Sequence, residues 1–596
     1  MDAEKKKFPK SGMAWLWENM QGFHFIYILA IAGTAIYSSM QLVVPYFSGQ
    51  IVDRFLSGED SLDYLAGHTK EFYWLVGLMV GLTILRVLIV YADCMTYEYV
   101  SQRALYKIRN FLFHKIQHQD MKFYNTYRTG DLMTRVTGDL DAVRHNIAWV
   151  IRVITESIVL YSATAIYFLY MSWKLALCIL CISPFIFAII VLFRKKIAPM
   201  HALLREKFAK MNSDAQENIA GNRVVKAFAR EPYETLKFDH SNMDYRKTNE
   251  KTQMTWLKFY PFVETFANMM SVTMLLAGGL FMIYGEISMG QYVSFSGLIW
   301  ALQNPMRNMG NIMNEFQRFA AASEKVMELY YSEPEIVDAR NPVSVGERLR
   351  GKVEFQHVSF QYEDGNLPVL KDISFTAEPG QTIAIMGETG CGKTSLINMI
   401  PRFFDPTGGC VLVDDVDVRS YRLEDLRKNI GLATQDVLLY SDTIEGNIAY
   451  GDSNLSMERI MKYARYSAAD DFISRMPDGY DTIIGERGVG LSGGQKQRIS
   501  LARALAIEPA ILILDDTTSA VDMETEKQIQ DSLRDLDFPC TKIIIAQRIS
   551  TTKTADRILV LQDGRITEMG THEELIAKKG YYYELVQLQT GGEVLG

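Results

Sequence analysis

Six apolar stretches, each long enough to cross a lipid bilayer, fill the first half of this 596-residue chain. Lipid offers the backbone no hydrogen-bond partners, so a spanning segment must satisfy its own peptide groups, and a helix of about 20 apolar residues does so. The sequence therefore predicts six transmembrane helices, at about 25–47, 72–95, 147–171, 175–193, 261–284 and 291–315.

The basic residues between these stretches predict the orientation of the helical domain. Lysine and arginine gather before the first stretch, after the second and after the fourth, whereas the other connections carry few of them. Basic loops stay in the cytosol, so both termini are expected inside, and the chain is expected to be a multi-pass protein of the cytoplasmic membrane. The Lys-rich start has no small-residue cleavage site, so it does not predict a removable signal peptide.

Charge and cysteine content argue against other classes of protein. The net charge is −8 and no basic stripe stands out, which argues against a nucleic-acid partner. The six cysteines are scattered, and Cys391 lies in a loop expected to work in the reducing cytosol, so no disulfide framework is predicted. Cys178 and Cys181 form a C-x-x-C inside an apolar stretch, where small buried residues are a better interpretation than a metal site.

Two long connections, about 96–146 and 194–256, are rich in helix formers and predict helical extensions into the cytosol. An out-and-back helical path of this length projects roughly 35–40 Å beyond the membrane. Each connection has a break at its expected tip, at residues 125–130 and 220–222. Extensions of this kind can carry force between membrane spans and a soluble domain.

Several ionisable residues fall inside or at the edge of the predicted spans. A charge is costly in lipid, so each is expected to face the bundle interior, a cavity or a partner. Substrate contact and structural pairing are equal alternatives, and two of the residues, four apart on one helical face, could pair with each other. The residues are Arg86, Asp93, Arg152, Glu156 and Glu264, the pair being Arg152 and Glu156.

Methionines recur in the fifth and sixth predicted spans. Their flexible thioether side chains suit a pliable surface for varied apolar ligands, and they are equally ordinary in contact with lipid. The residues are Met269, Met270, Met274, Met282, Met306, Met309 and Met313.

The second half of the chain contains a phosphate-binding loop. Residues 331–350 hold prolines and a glycine and predict a linker between a membrane domain, 1–330, and a soluble domain, 351–596. An apolar strand at 382–386 then runs into G-x-x-x-x-G-K-[ST], whose backbone N–H groups curl around phosphates while the hydroxyl reaches Mg²⁺. The loop residues are Gly387, Glu388, Thr389, Gly390, Cys391, Gly392, Lys393 and Thr394, followed by Ser395 at the start of a predicted helix.

Two further motifs follow in a fixed order. One is Leu491-Ser492-Gly493-Gly494-Gln495, before a predicted helix at 496–506, so that backbone donors point at an anion. The other is an apolar strand, 511–514, that ends in Asp515 and Asp516, which suits a metal-linked carboxylate at a sheet edge. Together the three motifs resemble those of the ATP-binding cassette (ABC) family, and the resemblance to ABC exporters covers nearly the whole chain.

The resemblance implies a fold: an α-helical six-span transmembrane bundle with long cytosolic extensions, fused to an α/β P-loop ATPase domain with a helical subdomain. It implies that Tyr362 stacks on adenine, although plain packing is the alternative. Asp515 would act on Mg²⁺ through water, and Gln435 would sense Mg²⁺ and contact the membrane half. Leu491 to Gln495 would bind the γ-phosphate of ATP held by the opposite subunit.

The family also has segments that transmit motion. The D-loop corresponds to Ser519, Ala520, Val521 and Asp522. The coupling segments correspond to the regions around Tyr127 and Arg128, around Gly221 and Asn222, and around Glu486.

Two residues depart from the family pattern in the chain's own nucleotide site. Asp516 stands where the family has the Glu that polarises the attacking water, and Gln547 stands where it has a switch His. Asp is one methylene shorter, by about 1.5 Å, and a misplacement of about 1 Å can cost on the order of 100-fold in rate. Glutamine can hydrogen-bond a phosphate oxygen but cannot become a cation. The two changes predict a site that binds ATP and hydrolyses it poorly.

An intact signature would complete the pocket of a different chain that retains Glu and His. The pattern resembles one half of the heterodimeric bacterial multidrug exporters, with ATP and Mg²⁺ as ligands. The expected function is ATP-driven export of amphipathic drugs or lipid-like molecules. The alternatives are a homodimeric lipid or peptide exporter, an ATP-gated channel, and a regulatory subunit.

Overall fold

Residues 10–57, 67–346, 348–363, 365, 367–485, 488 and 490–590 are described by a computed structural model, and they divide into two units of different architecture. One unit comprises Met1–His118 and Tyr127–Ser332, and the other comprises Gln119–Thr126 and Glu333–Gly596. The first is helical and the second mixes helices with two sheets, which confirms the predicted fold class. The segment Gln119–Thr126 lies within the predicted domain 1–330 but groups with the second unit. The exact domain boundaries stay a prediction.

Long helices dominate the first unit, because its apolar stretches and their polar continuations both favour helix. Its α-helices are Gly12–Asn19, His24–Met40, Val43–Ile51, Thr69–Gln117, Thr129–Thr134, Leu140–His145, Ile151–Met171, Trp173–Leu180, Ser183–Ala220, Asn222–Ala227, Glu231–Ile283 and Met289–Tyr330. Short π-helical turns at Val52–Leu56, Arg135–Asp139 and Asn146–Val150 join some of them into continuous paths.

Five helical segments among the described residues are long and apolar enough to cross a membrane. They are His24–Leu56, Thr69–Gln117, Thr129–Met171, Trp173–Ala220 and Glu231–Ile283. They contain the first four predicted spans and all but the last residue of the fifth. The sixth predicted span, 291–315, lies within Met289–Tyr330, which is a single helix but is not among those five. The sixth span therefore stays a prediction.

Four of the described helices are much longer than a bilayer requires, among them Ser183–Ala220 with 38 residues. Thr69–Gln117 has 49 residues, Glu231–Ile283 has 53 and Met289–Tyr330 has 42. At 1.5 Å per residue the longest spans roughly 80 Å, against about 30 Å of hydrocarbon.

Three of the long helices contain an internal proline. The prolines are Pro199 in Ser183–Ala220, Pro261 in Glu231–Ile283 and Pro305 in Met289–Tyr330. A proline there removes one hydrogen bond from the helix ladder.

Two glycines allow close approach between the helices Val43–Ile51 and Met289–Tyr330. A Cβ on Gly290 would collide with the carbonyl oxygen of Gly49 and with the carboxylate of Asp53. That carboxylate accepts hydrogen bonds from the Gly290 N–H (2.6 Å) and the Ser288 hydroxyl (2.6 Å). Asp53 therefore caps the start of the long helix and holds it against the neighbouring helix.

The second unit contains two sheets. Its strands are β1 (Val353–Phe360), β2 (Leu370–Ala377), β3 (Thr382–Gly387), β4 (Gly408–Val413), β5 (Val416–Asp417), β6 (Ile430–Ala433), β7 (Ile511–Asp515), β8 (Thr541–Ile545), β9 (Arg557–Gln562) and β10 (Arg565–Gly570). The smaller sheet is antiparallel, in the order β2-β1-β4-β5. The larger has the order β10-β9-β3-β8-β7-β6, and its strands run parallel except for the edge strand β10.

The parallel strands bring the sequence motifs to one edge of the larger sheet. All five residues of β7 are buried, as expected for a strand covered on both faces. The carboxyl ends of β3, β6, β7 and β8 lead into the phosphate loop, Gln435, Asp516 and Gln547 respectively. The helices of the second unit are Met121–Thr126, Lys393–Ile397, Leu423–Lys428, Ile444–Ile448, Met457–Tyr466, Asp470–Ile473, Gly493–Ala506, Met523–Arg534, Ile549–Thr552, His572–Lys578 and Tyr581–Thr590.

The glycine contact predicts a stability difference within one helix. Gly290→Ala places a methyl group against the Gly49 carbonyl oxygen and the Asp53 carboxylate. It should lower the free energy of unfolding by about 1–3 kcal/mol. Gly310→Ala, on the same helix, meets nothing within 4 Å and should be neutral or stabilising. All seven tryptophans lie in the first unit, so their fluorescence during thermal unfolding in detergent measures both effects. Equal midpoints for the two variants would contradict the packing argument.

Candidate nucleotide-binding site

The phosphate loop follows β3 and has the backbone conformation that a phosphate cradle needs. Gly390 and Gly392 have φ angles of +85° and +104°, which side chains with a Cβ rarely adopt. A Cβ on Gly392 would meet the side chain of Leu370, whereas one on Gly390 would meet nothing within 4 Å. The loop is therefore packed on the protein side and open on the side where a ligand would lie.

The Lys393 ammonium folds back across this loop. Its Nζ donates to the carbonyl oxygens of Gly387 (2.8 Å) and Glu388 (2.7 Å). These contacts hold the positive charge over the loop, where phosphate oxygens would lie.

An oxygen pair beside the loop suits a magnesium ion. The Thr394 hydroxyl lies 3.1 Å from Asp515 Oδ2 and donates to it. Burial raises the pKa of Asp515, and the hydrogen bond from Thr394 and the charge of Lys393 partly offset that rise. Mg²⁺ prefers carboxylate and hydroxyl oxygens of this kind, so the two side chains fit the ion. Gln435 is exposed and follows β6, whose Ala433 pairs with Leu514, next to Asp515.

Asp516 is almost completely buried, and its carboxylate is bound by the switch residue. Gln547 Nε2 donates to Asp516 Oδ2 at 2.8 Å. Asp516 has a φ of +50°, and its carbonyl oxygen accepts from the Ser519 hydroxyl at 3.0 Å. Burial raises the pKa of the Asp516 carboxyl, and the neighbouring charge of Asp515 raises it further. The two residues that depart from the family pattern therefore contact each other.

Tyr362 is packed by two aromatic rings. Its ring meets those of Phe360 and Phe404 edge-on, with centroids 4.7 and 5.3 Å away. Its hydroxyl lies 2.9 Å from the hydroxyl of Ser395. These contacts fix the plane of the ring beside the phosphate loop, and stacking on adenine stays a prediction.

The signature residues begin a helix, Gly493–Ala506, that starts earlier than the predicted 496–506. The Ser492 hydroxyl accepts from the Gln495 N–H (3.3 Å), and the Gln495 side chain accepts from the Ser492 N–H (2.9 Å). This reciprocal capping offsets the low helix propensity of the two glycines between them, which is why the helix begins sooner. Leu491 precedes the cap.

The signature helix contacts the D-loop directly. A Cβ on Gly494 would lie 2.7 Å from the carbonyl oxygen of Ala520, so only glycine allows this approach. Gln497 was not singled out from the sequence, yet its buried amide joins the two segments. It accepts from the Ala520 N–H (3.1 Å) and donates to the Ser519 hydroxyl (3.2 Å).

The D-loop is also held by Arg548, which is itself bound to a buried acid, Glu526. Arg548 donates to Glu526 (2.5 Å) and to the carbonyl oxygens of Val521 (3.3 Å) and Ser519 (3.2 Å). Glu526 is buried and Arg548 neutralises its charge, which satisfies the requirement for a partner. Asp522 caps the helix Met523–Arg534 through the Thr525 N–H and hydroxyl, and these bonds lower its pKa.

The predicted coupling residues have local contacts in the first unit. The Tyr127 hydroxyl donates to Glu328 Oε1 (2.9 Å), and Arg135 lies over the Tyr127 ring. Arg128 precedes the helix Thr129–Thr134, while Gly221 lies between the helices Ser183–Ala220 and Asn222–Ala227. Glu486 lies outside the described residues.

Four of the five ionisable residues of the spans have partners on neighbouring helices. Arg152 and Glu156, both within the described chain, form no ion pair with each other. Glu156 accepts from Tyr37 (3.2 Å) and Gln41 (3.4 Å), and Arg152 donates to the Cys94 sulfur (3.5 Å). Glu264 pairs with Arg307 at 2.9 Å. Asp93 accepts from Thr34 (2.9 Å), and the Nε of Arg86 is buried without a hydrogen-bond partner.

An apolar cavity of about 890 Å³ lies among the helices of the first unit. It is lined by Met306, Met309 and Met313, but not by Arg86, Arg152, Glu156 or Glu264. The four methionines predicted in the fifth span do not line it either. Its polar lining consists of hydroxyl side chains, among them Tyr161, which donates to the Ser183 hydroxyl at 2.8 Å. The described residues that line it include no Lys, Arg, Asp, Glu or His.

The buried carboxylates predict a pH dependence of stability. Because the pKa of Asp516 is raised in the folded state, its charge destabilises the fold as pH rises above the ordinary aspartate range of about 4. Asp516→Asn should therefore raise the calorimetric unfolding midpoint by a few degrees at pH 7, and the gain should shrink towards pH 4.

The cap residue Asp522 has a lowered pKa and provides the control with the opposite sign. Its charge stabilises the fold above about pH 4, and that contribution is lost as pH falls. Asp522→Ala should be destabilising at pH 7. A loss of stability in Asp516→Asn at pH 7 would contradict the argument.

Comparison with known proteins agrees with this geometry. A family model described as the ABC transporter transmembrane region matches residues 27–306, and one described as ABC transporter matches residues 370–519. The uncharacterized ABC transporter ATP-binding protein YknU of Bacillus subtilis (strain 168) is 38% identical over 82% of this chain and 83% of its own length. An ATP-dependent lipid A-core flippase of Syntrophus aciditrophicus (strain SB) is 35% identical over 87% of this chain and 86% of its own length.

A solved structure extends the likeness to the fold. The structure titled "Structure of a bacterial Atm1-family ABC exporter with ATP bound" matches with a TM-score of 0.79 and 26% identity. The match covers 95% of this chain and 99% of that one. The chain therefore belongs to the ABC transporter family, as an exporter that joins a transmembrane region to an ATP-binding cassette.

Proposed function

We propose that this chain is one half of a heterodimeric exporter of the cytoplasmic membrane, and that its own nucleotide site binds ATP and hydrolyses it slowly. The observation that carries the proposal is the 2.8 Å hydrogen bond from Gln547 Nε2 to Asp516 Oδ2. A carboxylate that must polarise an attacking water needs a free oxygen aimed at that water. Here one of the two carboxylate oxygens is bound by an amide that cannot become a cation, so only the other could face the water.

Side-chain length adds to this effect. Asp516 is one methylene shorter than glutamate, so its carboxylate is set back by about 1.5 Å from the position that glutamate would reach. Its loop is fixed by Ser519 and Gln497, which bond to its carbonyl oxygen, so the backbone has little freedom to move the carboxylate forward. Both effects act on hydrolysis and leave nucleotide binding intact.

The binding half of the site has its full set of groups. The phosphate loop and Lys393 would hold the phosphates of ATP, and Thr394 and Asp515 would hold Mg²⁺, with Asp515 acting through water. The bound ion supplies charge neutralisation at the phosphates. Lys393 and the loop N–H groups orient the phosphates, and Tyr362 would support the base.

The signature supports a division of labour between two subunits. Ser492 and Gln495 cap the signature helix reciprocally, so its N-terminal backbone donors are held in place before any ligand arrives. In a chain whose own site is slow, an ordered signature would serve to bind the ATP held by the partner subunit. A second half-transporter with glutamate and histidine in its own site would then hydrolyse ATP for both subunits. A homodimer with two slow sites is the alternative.

The cavity supports an uncharged lipophilic or amphipathic substrate. Its volume of about 890 Å³ lies in the range of small-molecule sites, and its walls are almost entirely apolar. The paired charges Glu264–Arg307 and the hydrogen-bonded Glu156 have structural partners instead. A lipid-like or drug-like molecule taken from the membrane fits this chemistry, with its charged group, where it has one, outside the cavity.

Restoring the family residues tests the slow site. The double variant Asp516→Glu/Gln547→His should hydrolyse ATP at least about tenfold faster than the unmodified chain, because a longer carboxylate reaches the water. Phosphate release by the purified full-length protein in nanodiscs measures this rate. Adding Lys393→Ala to the double variant should abolish the gain, which assigns the activity to this site.

The slow-site proposal fails if the unmodified chain hydrolyses ATP rapidly by itself and Asp516→Asn abolishes that activity. Co-purification with a second half-transporter and a higher rate for the pair would support the heterodimer. A stable pair of identical chains with the same rate as any mixture would favour the homodimer.

Filling the cavity tests the substrate site. Met309→Trp places a large ring into the apolar space and should weaken binding of a fluorescent uncharged lipophile by about tenfold. Met269→Trp, at a half-exposed position of the fifth span that does not line the cavity, is the matched control and should bind normally. Tighter binding of an anionic analogue than of the uncharged probe would contradict the assignment.

A further inference from the structure

The last described helix of the chain, Tyr581–Thr590, is anchored beside residues 547–549, called here the switch segment. Tyr582 is fully buried, and its hydroxyl lies 3.2 Å from the Thr552 hydroxyl and 2.8 Å from His572 Nδ1. Val586 is also buried in the same small core. This anchoring fixes which side chains of the helix face residues 547–549.

Gln589 reaches the switch segment from this helix with both ends of its amide. Its Nε2 donates to the Gln547 carbonyl oxygen at 2.8 Å, and its Oε1 accepts from the Ile549 N–H at 3.0 Å. A side-chain amide offers one donor side and one acceptor, as a peptide group does. The two backbone groups that it pairs flank Arg548, so Gln589 bonds to the segment much as a neighbouring strand would.

Neither backbone group has a partner from regular secondary structure. Strand β8 ends at Ile545, before Gln547. Ile549 is the first residue of the helix Ile549–Thr552, and the first N–H groups of a helix have no partner within it. Gln589 therefore supplies bonds that the local fold does not.

The opposite side of the segment is held by Arg548. Its guanidinium binds Glu526 and the carbonyl oxygens of Ser519 and Val521 in the D-loop. Residues 547–549 are thus fixed between the D-loop and the C-terminal helix. The position of the Gln547 side chain, and so its bond to Asp516, depends on both attachments.

We propose that Gln589 is a positioning residue, which orients the residue at 547 for its contact with the catalytic carboxylate at 516. Its two hydrogen bonds go to the backbone of residues 547 and 549, so it acts through the backbone of the switch segment. The role does not depend on whether the natural site is slow, because a histidine at 547 would be placed by the same backbone.

Hydrogen exchange of the full-length protein tests the positioning directly. Gln589→Ala removes the acceptor for the Ile549 N–H, and exchange of a peptide covering residues 546–551 should become about three- to tenfold faster. Gln589→Glu keeps an acceptor oxygen and should retain the protection of Ile549. Gln587→Ala is the control on the same helix, since Gln587 bonds to the Tyr583 hydroxyl and not to the switch segment.

Turnover provides the second readout, in the faster Asp516→Glu/Gln547→His background. Adding Gln589→Ala should lower kcat about three- to tenfold with the KM for ATP unchanged, because the switch segment moves while the phosphate loop does not. Adding Gln587→Ala should change neither value. A rise in KM at constant kcat, or equal exchange in the Gln589→Ala and Gln587→Ala variants, would overturn the positioning role.

The two readouts also separate this inference from the slow-site proposal. If the double variant is no faster than the unmodified chain, the slow-site proposal fails and the exchange result alone decides the role of Gln589. If the double variant is faster but insensitive to Gln589→Ala, the positioning role fails and the slow-site proposal stands.

Discussion

Two adjacent carboxylates, Asp515 and Asp516, lie at the end of a strand that is buried on both faces, and three side chains of the nucleotide site stabilise them. Buried charges need hydrogen bonds or counter-charges, because desolvation is otherwise too costly. Thr394 and the Lys393 charge act on the first carboxylate, and the amide of Gln547 acts on the second. Gln547 therefore stabilises the Asp516 carboxylate, in addition to any contact it makes with nucleotide. A glutamine can make this hydrogen bond without carrying a charge.

The strands and helices beside a motif could be predicted from the sequence where the residues of the motif are contiguous. The phosphate loop and the signature could be placed because each is contiguous and follows a strand or precedes a helix. The helical class of the first unit followed from apolar length alone. The start of the signature helix was placed three residues late, because the low propensity of Gly493 and Gly494 conceals the cap that Ser492 and Gln495 form around them.

Contacts between distant segments could not be predicted in the same way. Arg152 and Glu156 are spaced to pair on one helix, yet Glu156 binds Tyr37 and Gln41 of another, because a span's polar groups take whichever partners the neighbouring helices offer. Gln497 and Gln589 carry no signal in the sequence, since glutamine is common on helix surfaces. Their importance comes from the backbone groups that the fold places beside them, 19 to 42 residues away along the chain.

The internal prolines of the long helices have a mechanical consequence. Pro305 and Met306 line the apolar cavity, while the same helix continues to Tyr330. About 25 residues of helix separate the two points, or roughly 38 Å. A tilt of about 5° at the missing hydrogen bond would shift the far end by roughly 3 Å. The helix can thus work as a lever whose pivot is part of the cavity wall, so that a small rearrangement of the wall becomes a larger displacement at Tyr330.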